Sequence, residues 1–129
     1  MASIFSRILN GEIPSYKVVE DHAHFAFLDI NPNAKGHTLC IPKKETDKLF
    51  DLSQEEYAAL MNFSRKVALA IEKAIPCDRV GMSVIGLEVP HVHVHLIPLN
   101  TVSDATFIKK VSMTNDEMNT IAKAIAEQL

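Results

Sequence analysis

The sequence has no tryptophan, only two cysteines, no excess of basic charge and no long apolar run. Each shortage removes a class of answer. Cys40 and Cys77 are too few and too far apart for a disulfide framework or a zinc ribbon, so free thiols and a cytoplasmic setting are expected. Thirteen Lys and Arg against 16 Asp and Glu leave a net charge of −3. A protein that grips duplex DNA through many phosphates is normally basic, so no DNA partner is expected, whereas a single nucleotide needs only a local site. The longest apolar run, Val67 to Ile71, falls far short of the ~20 residues of a membrane helix. The opening Met-Ala-Ser-Ile-Phe-Ser-Arg lacks the basic stretch and apolar block of a secretory signal. No repeat or low-complexity stretch is visible.

What remains is ordinary globular composition, 47% hydrophobic and 22% charged over 129 residues, which suits one domain. Ser3 is placed to cap a short helix from Ile4 to Asn10, stopped by Gly11. Short β-branched or aromatic runs follow at Tyr16–Glu20, Phe25–Ile30 and His37–Ile41, separated by turn residues and ended by Pro42. Ser53-Gln54-Glu55-Glu56 has the form of a capping box. Apolar residues then recur at steps of three and four, which predicts a long helix from Gln54 to Ala74 that Pro76 ends. Two more strands are expected at Arg79–Ile85 and His91–Leu99. A second capping box, Thr114 to Glu117, opens an amphipathic C-terminal helix. Short strand-to-strand links favour antiparallel pairing. The expected fold is therefore α+β, a five-stranded antiparallel sheet with one long helix and shorter N- and C-terminal helices.

Three of the six histidines fall at His91, His93 and His95. In an extended strand they share one face, ~7 Å apart, while Val92, Val94 and Leu96 share the other. If the valines take the core, the histidine face meets water, a ligand or another polar group. Three readings are open. The histidines are solvated; or two of them with a remote ligand hold a metal, since three in alternation span ~14 Å, too far to share one ion; or one of them is a nucleophile. A neutral imidazole attacks phosphorus well at neutral pH, and clustered imidazoles suppress one another's protonation.

His91-Val92-His93-Val94-His95-Leu96-Ile97 resembles the His-x-His-x-His-x-x signature of the histidine triad (HIT) superfamily. Ser3-Ile4-Phe5, Gly11-Glu12-Ile13-Pro14, Phe27 to Pro32 and Gly36 to Lys44 resemble its Hint-type branch. The resemblance implies a HIT-like fold with a core over about 3–99 and a C-terminal extension over about 100–129. It implies a homodimer, a purine nucleotide substrate and no cofactor. By position, His93 resembles the nucleophile and His95 the histidine that contacts phosphate and supports proton transfer near the leaving group. His91 and His37 resemble the histidines that orient them. Asp29 resembles the carboxylate that accepts from both ribose hydroxyls. The same strand reads equally as core aromatics Phe25 and Phe27 with Asp29 capping a turn. Phe5, Ile8, Phe27 and Ile30 would line the base pocket, and Gly86, Glu88 and Val89 complete the nucleotide-binding set.

Leu87 and Glu88 stand where many members carry Gln and Ser or Thr, and the link before the triad is short. Lys43 and Lys44 read as a solvated basic pair. The resemblance implies a hydrolase that cleaves nucleoside 5′-monophosphate conjugates, such as AMP-lysine, through a nucleotidyl-histidine. The alternatives are a dinucleoside polyphosphate hydrolase of the Fhit type and a nucleotide-binding sensor with little turnover. The C-terminal helix is left with three places to go: over the sheet, into a dimer or over the site.

Overall fold

The computed structural model describes residues 2–129. Their order is α1 (Ile4–Leu9), β1 (Lys17–Glu20), β2 (His24–Leu28), β3 (Thr38–Pro42), α2 (Gln54–Ala74), β4 (Arg79–Ser83), β5 (Val94–Leu99) and α3 (Asn115–Ala126). The strands form one antiparallel sheet in the order β1-β2-β3-β5-β4. The fold class is the expected α+β, with all five strands and all three helices present among the described residues.

Local chemistry explains the helix boundaries. Ser3 accepts the amide hydrogen of Ser6 and starts α1. Both longer helices begin with complete capping boxes, Ser53 with Glu56 and Thr114 with Glu117. Ile75, forced out of the helical region by the proline after it, ends α2 in an extended conformation.

The two faces of the sheet bury different things. Val94 and Leu96 of β5, with Ala26, Leu28 and Cys40, pack against Leu60, Val67 and Ile71 of α2 and Ile121 and Ile125 of α3. The C-terminal helix therefore covers the sheet. Phe25, Phe27, Leu39 and Ile41 line the opposite face and are covered by Phe5 and Ile8 of α1 and by Val89. Each fully buried leucine or isoleucine here is worth about 2–3 kcal/mol of transfer free energy.

The bounds of three strands need correction. The last strand starts at Val94, not His91, because Val92 donates its amide hydrogen to Thr46 of a loop rather than to a strand neighbour. The second and fourth strands also stop early, at Leu28 and Ser83, which leaves Asp29 just beyond its strand.

Candidate active site

The pairing of β3 with β5 sets Leu39 opposite His95. It thereby brings His37, at the entry to β3, beside the triad. His37 follows Gly36, whose φ of +96° suits glycine and whose α-carbon lies so close to Ile75 that an added β-carbon would meet its Cγ1 at 2.9 Å. The chain is thus turned tightly into His37 by a residue that no side chain can replace without strain.

The alternation of histidines and aliphatics survives although only His95 lies in the strand. The three rings are nevertheless largely withdrawn from solvent: His91 is fully buried, and His93 and His95 are 7% and 8% exposed. The rings are also closer than the backbone spacing implies. His93 and His95 centroids are 4.9 Å apart, edge to face, because the side chains lean together under Phe5 and Phe107.

The hydrogen bonds assign the protons. The Asn33 amide donates to His37 Nδ1 at 3.0 Å, so a neutral His37 carries its proton on Nε2. That nitrogen lies 3.0 Å from His95 Nδ1 and donates to it, which places the His95 proton on Nε2. His93 Nδ1 lies 2.8 Å from the carbonyl of His91, so it donates there and leaves Nε2 with a free lone pair. His91 donates from Nε2 to the Pro42 carbonyl at 2.8 Å and accepts at Nδ1 from the Ser3 hydroxyl at 2.9 Å. Burial holds His37 and His95 neutral: it pushes His37 down to about 3 and His95 down to about 4, with the neighbouring imidazoles and Lys110 adding to the effect. His91 is lowered as well, again chiefly by burial.

A cavity of about 530 Å³ opens over this face. Phe5, Ile8, Phe27, Ile30, Asp29, Gly86, Glu88, Val89, His93 and His95 all line it. His91 and His37 do not; they stand behind, each bonded to the next layer. Phe25 belongs to the core and not to the wall, whereas Phe27 serves both. Asp29 also serves both: Oδ1 accepts from the Asn31 amide, which caps the turn, and the carboxyl faces the cavity. Burial raises its pKa above the ordinary carboxylate value, against the Asn31 bond and the charge of Lys110. Lys43 and Lys44 pair with Glu20 and Glu56, away from the cavity.

Asp29, His37 and His95 offer ligand atoms within 4.8 Å of one another. A metal there would need a lone pair on His37 Nε2. The Asn33 amide already occupies Nδ1, so moving the proton from Nε2 to Nδ1 would set two donors face to face. The triangle is therefore a poor metal site.

Several residues at the site carried no signal in the sequence. Asn33 is fully buried; its backbone amide donates to His37 and its side-chain amide to the Asp104 carbonyl. Thr106, Phe107 and Lys110 reach the cavity from the segment before α3. Asn33 sits four residues before His37 in a run that reads as turn, and Phe107 belongs to no periodic pattern.

The HIT domain family matches residues 10–102 of the chain. An adenosine 5′-monophosphoramidase of Schizosaccharomyces pombe is 40% identical over 100 residues, which are 76% of this chain and 74% of that protein. The crystal structure of a HIT-like protein of Bartonella henselae with an unknown ligand superposes with a TM-score of 0.86 at 32% identity, covering 98% of this chain and 96% of the other. That of a zinc-bound histidine triad family protein of Mycobacterium smegmatis superposes with a TM-score of 0.81 at 26% identity, covering 98% and 95%.

Proposed function

The chain belongs to the HIT domain family, and from that premise and the proton assignments of its histidines we propose that it hydrolyses nucleoside 5′-monophosphate conjugates at the α-phosphorus. The observation that carries this reading is the Nδ1 bond of His93 to the His91 carbonyl, which leaves Nε2 as the ring's other nitrogen in a residue that lines the cavity together with Asp29. The 40% identical adenosine 5′-monophosphoramidase supports a phosphoramidate as substrate.

The base lies between Phe5, Ile8, Phe27 and Ile30, and Asp29 accepts from the ribose hydroxyls, as an ionised carboxylate must. His93 Nε2 attacks phosphorus. The P–N or P–O bond to the leaving group breaks, and the electron pair departs with the leaving atom, which takes its proton from water in the open cavity. The Nε2–H of His95 donates to a phosphoryl oxygen and stabilises charge as it develops, a preorganised contact of the kind worth about 3–4 kcal/mol. The hydroxide left by that proton transfer then attacks phosphorus, the P–N bond to His93 breaks and its electron pair returns to Nε2, which restores the enzyme. His95 works as a hydrogen-bond donor and not as a stored acid, because a second proton on Nδ1 would face the Nε2–H of His37. Glu88 at the rim disfavours a long anionic leaving group, which argues for a phosphoramidate over a dinucleoside polyphosphate. A homodimer is part of the proposal: β4 is an edge strand that carries the half-exposed Met82, and a second copy can extend the sheet there.

The test is turnover of adenosine 5′-phosphoramidate, with a chelator present, by the parent and by His93→Ala. Turnover by the parent alone is expected. Activity lost to the chelator would point to a metal centre, and AMP binding by the parent without turnover would leave a binding protein.

A further inference from the structure

The segment between β5 and α3 lies almost wholly outside the matched domain, which ends at residue 102. It is built as a strap across the loop that precedes His37. Val102–Ala105 forms a 3₁₀ turn in which the Asp104 carboxylate accepts from the Asn100 and Thr101 amides. The Asp104 carbonyl accepts from the buried Asn33 side chain. Lys110 donates from Nζ to the other end of that side chain, Oδ1, at 2.7 Å, and to the Asn31 carbonyl at 3.1 Å. The Val111 amide then closes onto the Pro32 carbonyl.

Between these anchors stands Phe107, with φ of +63°, the one non-glycine residue among those described with positive φ. A bulky side chain in that conformation is strained and persists only where its surroundings hold it. Its ring is held on both sides. Lys110 Nζ lies 5.1 Å over the centroid, and beneath it the His95 ring stands edge-on at 4.8 Å and the His37 ring at 6.0 Å. The strap therefore bonds to the residue that fixes the His37 proton and covers the pair of rings that this proton chain runs through.

We infer that residues 102–111 form a fixed cover over the His37–His95 pair, with Phe107 a positioning residue that holds both rings in their donor orientation and shields the covered side of His95 from water. For turnover the inference rests on the hydrolase reading. The groups that face His95 are His37 at the entry to β3, His93 before β5, Asp29 after β2 and Lys110 on the strap itself. Three of these four stay in place when the ring is removed, and Lys110 keeps its bonds to Asn31 and Asn33. The effect of the ring alone can therefore be read. Without it, water reaches His95, the penalty on its charged form falls, and its titration moves up.

The experiment is imidazole ¹⁵N NMR of His95 and His37 in the parent, Phe107→Gly and Phe107→Leu, with steady-state turnover of adenosine 5′-phosphoramidate on the same samples. Glycine accepts the backbone conformation without strain, so the variant removes the ring and not the turn. In the parent, His95 is expected as the Nε2–H tautomer. In Phe107→Gly its titration point is expected to rise by about one pH unit or more. Its kcat is expected to fall about tenfold, by more than KM changes, since the ring lies against His95 and His37. Phe107→Leu, which keeps bulk over His95, should fall between the two, and it answers the same question if the glycine variant does not fold. A folded variant in which His95 keeps the parent titration and tautomer overturns the inference. The NMR needs no turnover, so a parent without activity defeats the hydrolase reading and leaves the cover decided on its own evidence.

Discussion

His37 Nε2 donates its proton to His95 Nδ1 across 3.0 Å, and this bond joins the entry to β3 to the second residue of β5. It is the second link of a one-way chain. The Asn33 amide donates to His37, His37 donates to His95, and His95 is left with one N–H directed at the cavity. Each link forbids the reverse tautomer of the next. The chain thus delivers a hydrogen-bond donor to the cavity without placing a charge in the core.

His37→Ala removes the middle link. His95 Nδ1 then loses its donor, and the ring becomes free to carry its proton on either nitrogen. The expected result is a fall in kcat of about 10²-fold, at the lower end of what losing one preorganised donor costs, with KM changed little. Steady-state kinetics on adenosine 5′-phosphoramidate decides it. An unchanged kcat would mean that the chain does not set the His95 proton.

Stability should fall in mild acid, and the sign follows from the histidines. His37 titrates at about 3 and His95 at about 4 in the folded protein, against ~6.5 unfolded. Below ~6.5 the unfolded chain takes up protons that the folded one refuses, so the stability these groups hold above that pH is lost as pH falls toward 4. The slope is about 1.4 kcal/mol per pH unit for each such imidazole. Urea denaturation at pH 7, 6 and 5 measures it. A flat profile over that range would contradict the burial of the neutral rings.

Much of this was legible in the sequence, and the failures have physical causes. Helices α2 and α3 were marked by capping boxes and apolar periodicity, and both begin as expected. The histidine–aliphatic alternation marked which face takes the core. It did not reveal that His91 and His93 precede the strand, because an extended chain has the same period of two whether or not a neighbour pairs with it. The nearness of His37 to the triad depended on β3 pairing with β5, a contact across 58 positions that local pattern does not encode. Asn33 and Phe107 were invisible for a related reason. Their roles arise where the strap crosses the loop before β3, and neither sits in a periodic element.

Asp29 should read the sugar. Its carboxyl lines the cavity, and Asn31 holds only Oδ1. The parent is expected to bind AMP about tenfold more tightly than 2′-deoxy-AMP, the worth of one hydrogen bond to a charged acceptor. Asp29→Asn should lose most of that preference while still binding both. Calorimetric titration of the four pairs tests it, and equal affinity of the parent for both nucleotides would remove Asp29 from the ribose site.

The central claim is that His93 becomes covalently attached to the nucleotide. Its most direct test is intact-protein mass spectrometry of the parent and His93→Ala, quenched in alkali during turnover of adenosine 5′-phosphoramidate, with peptide mapping of any adduct. The account predicts one added adenylyl group on the parent, mapped to His93, and none on the variant. Turnover by the parent with no adduct, together with inversion at a chiral phosphorus, would mean that water attacks directly and would contradict it.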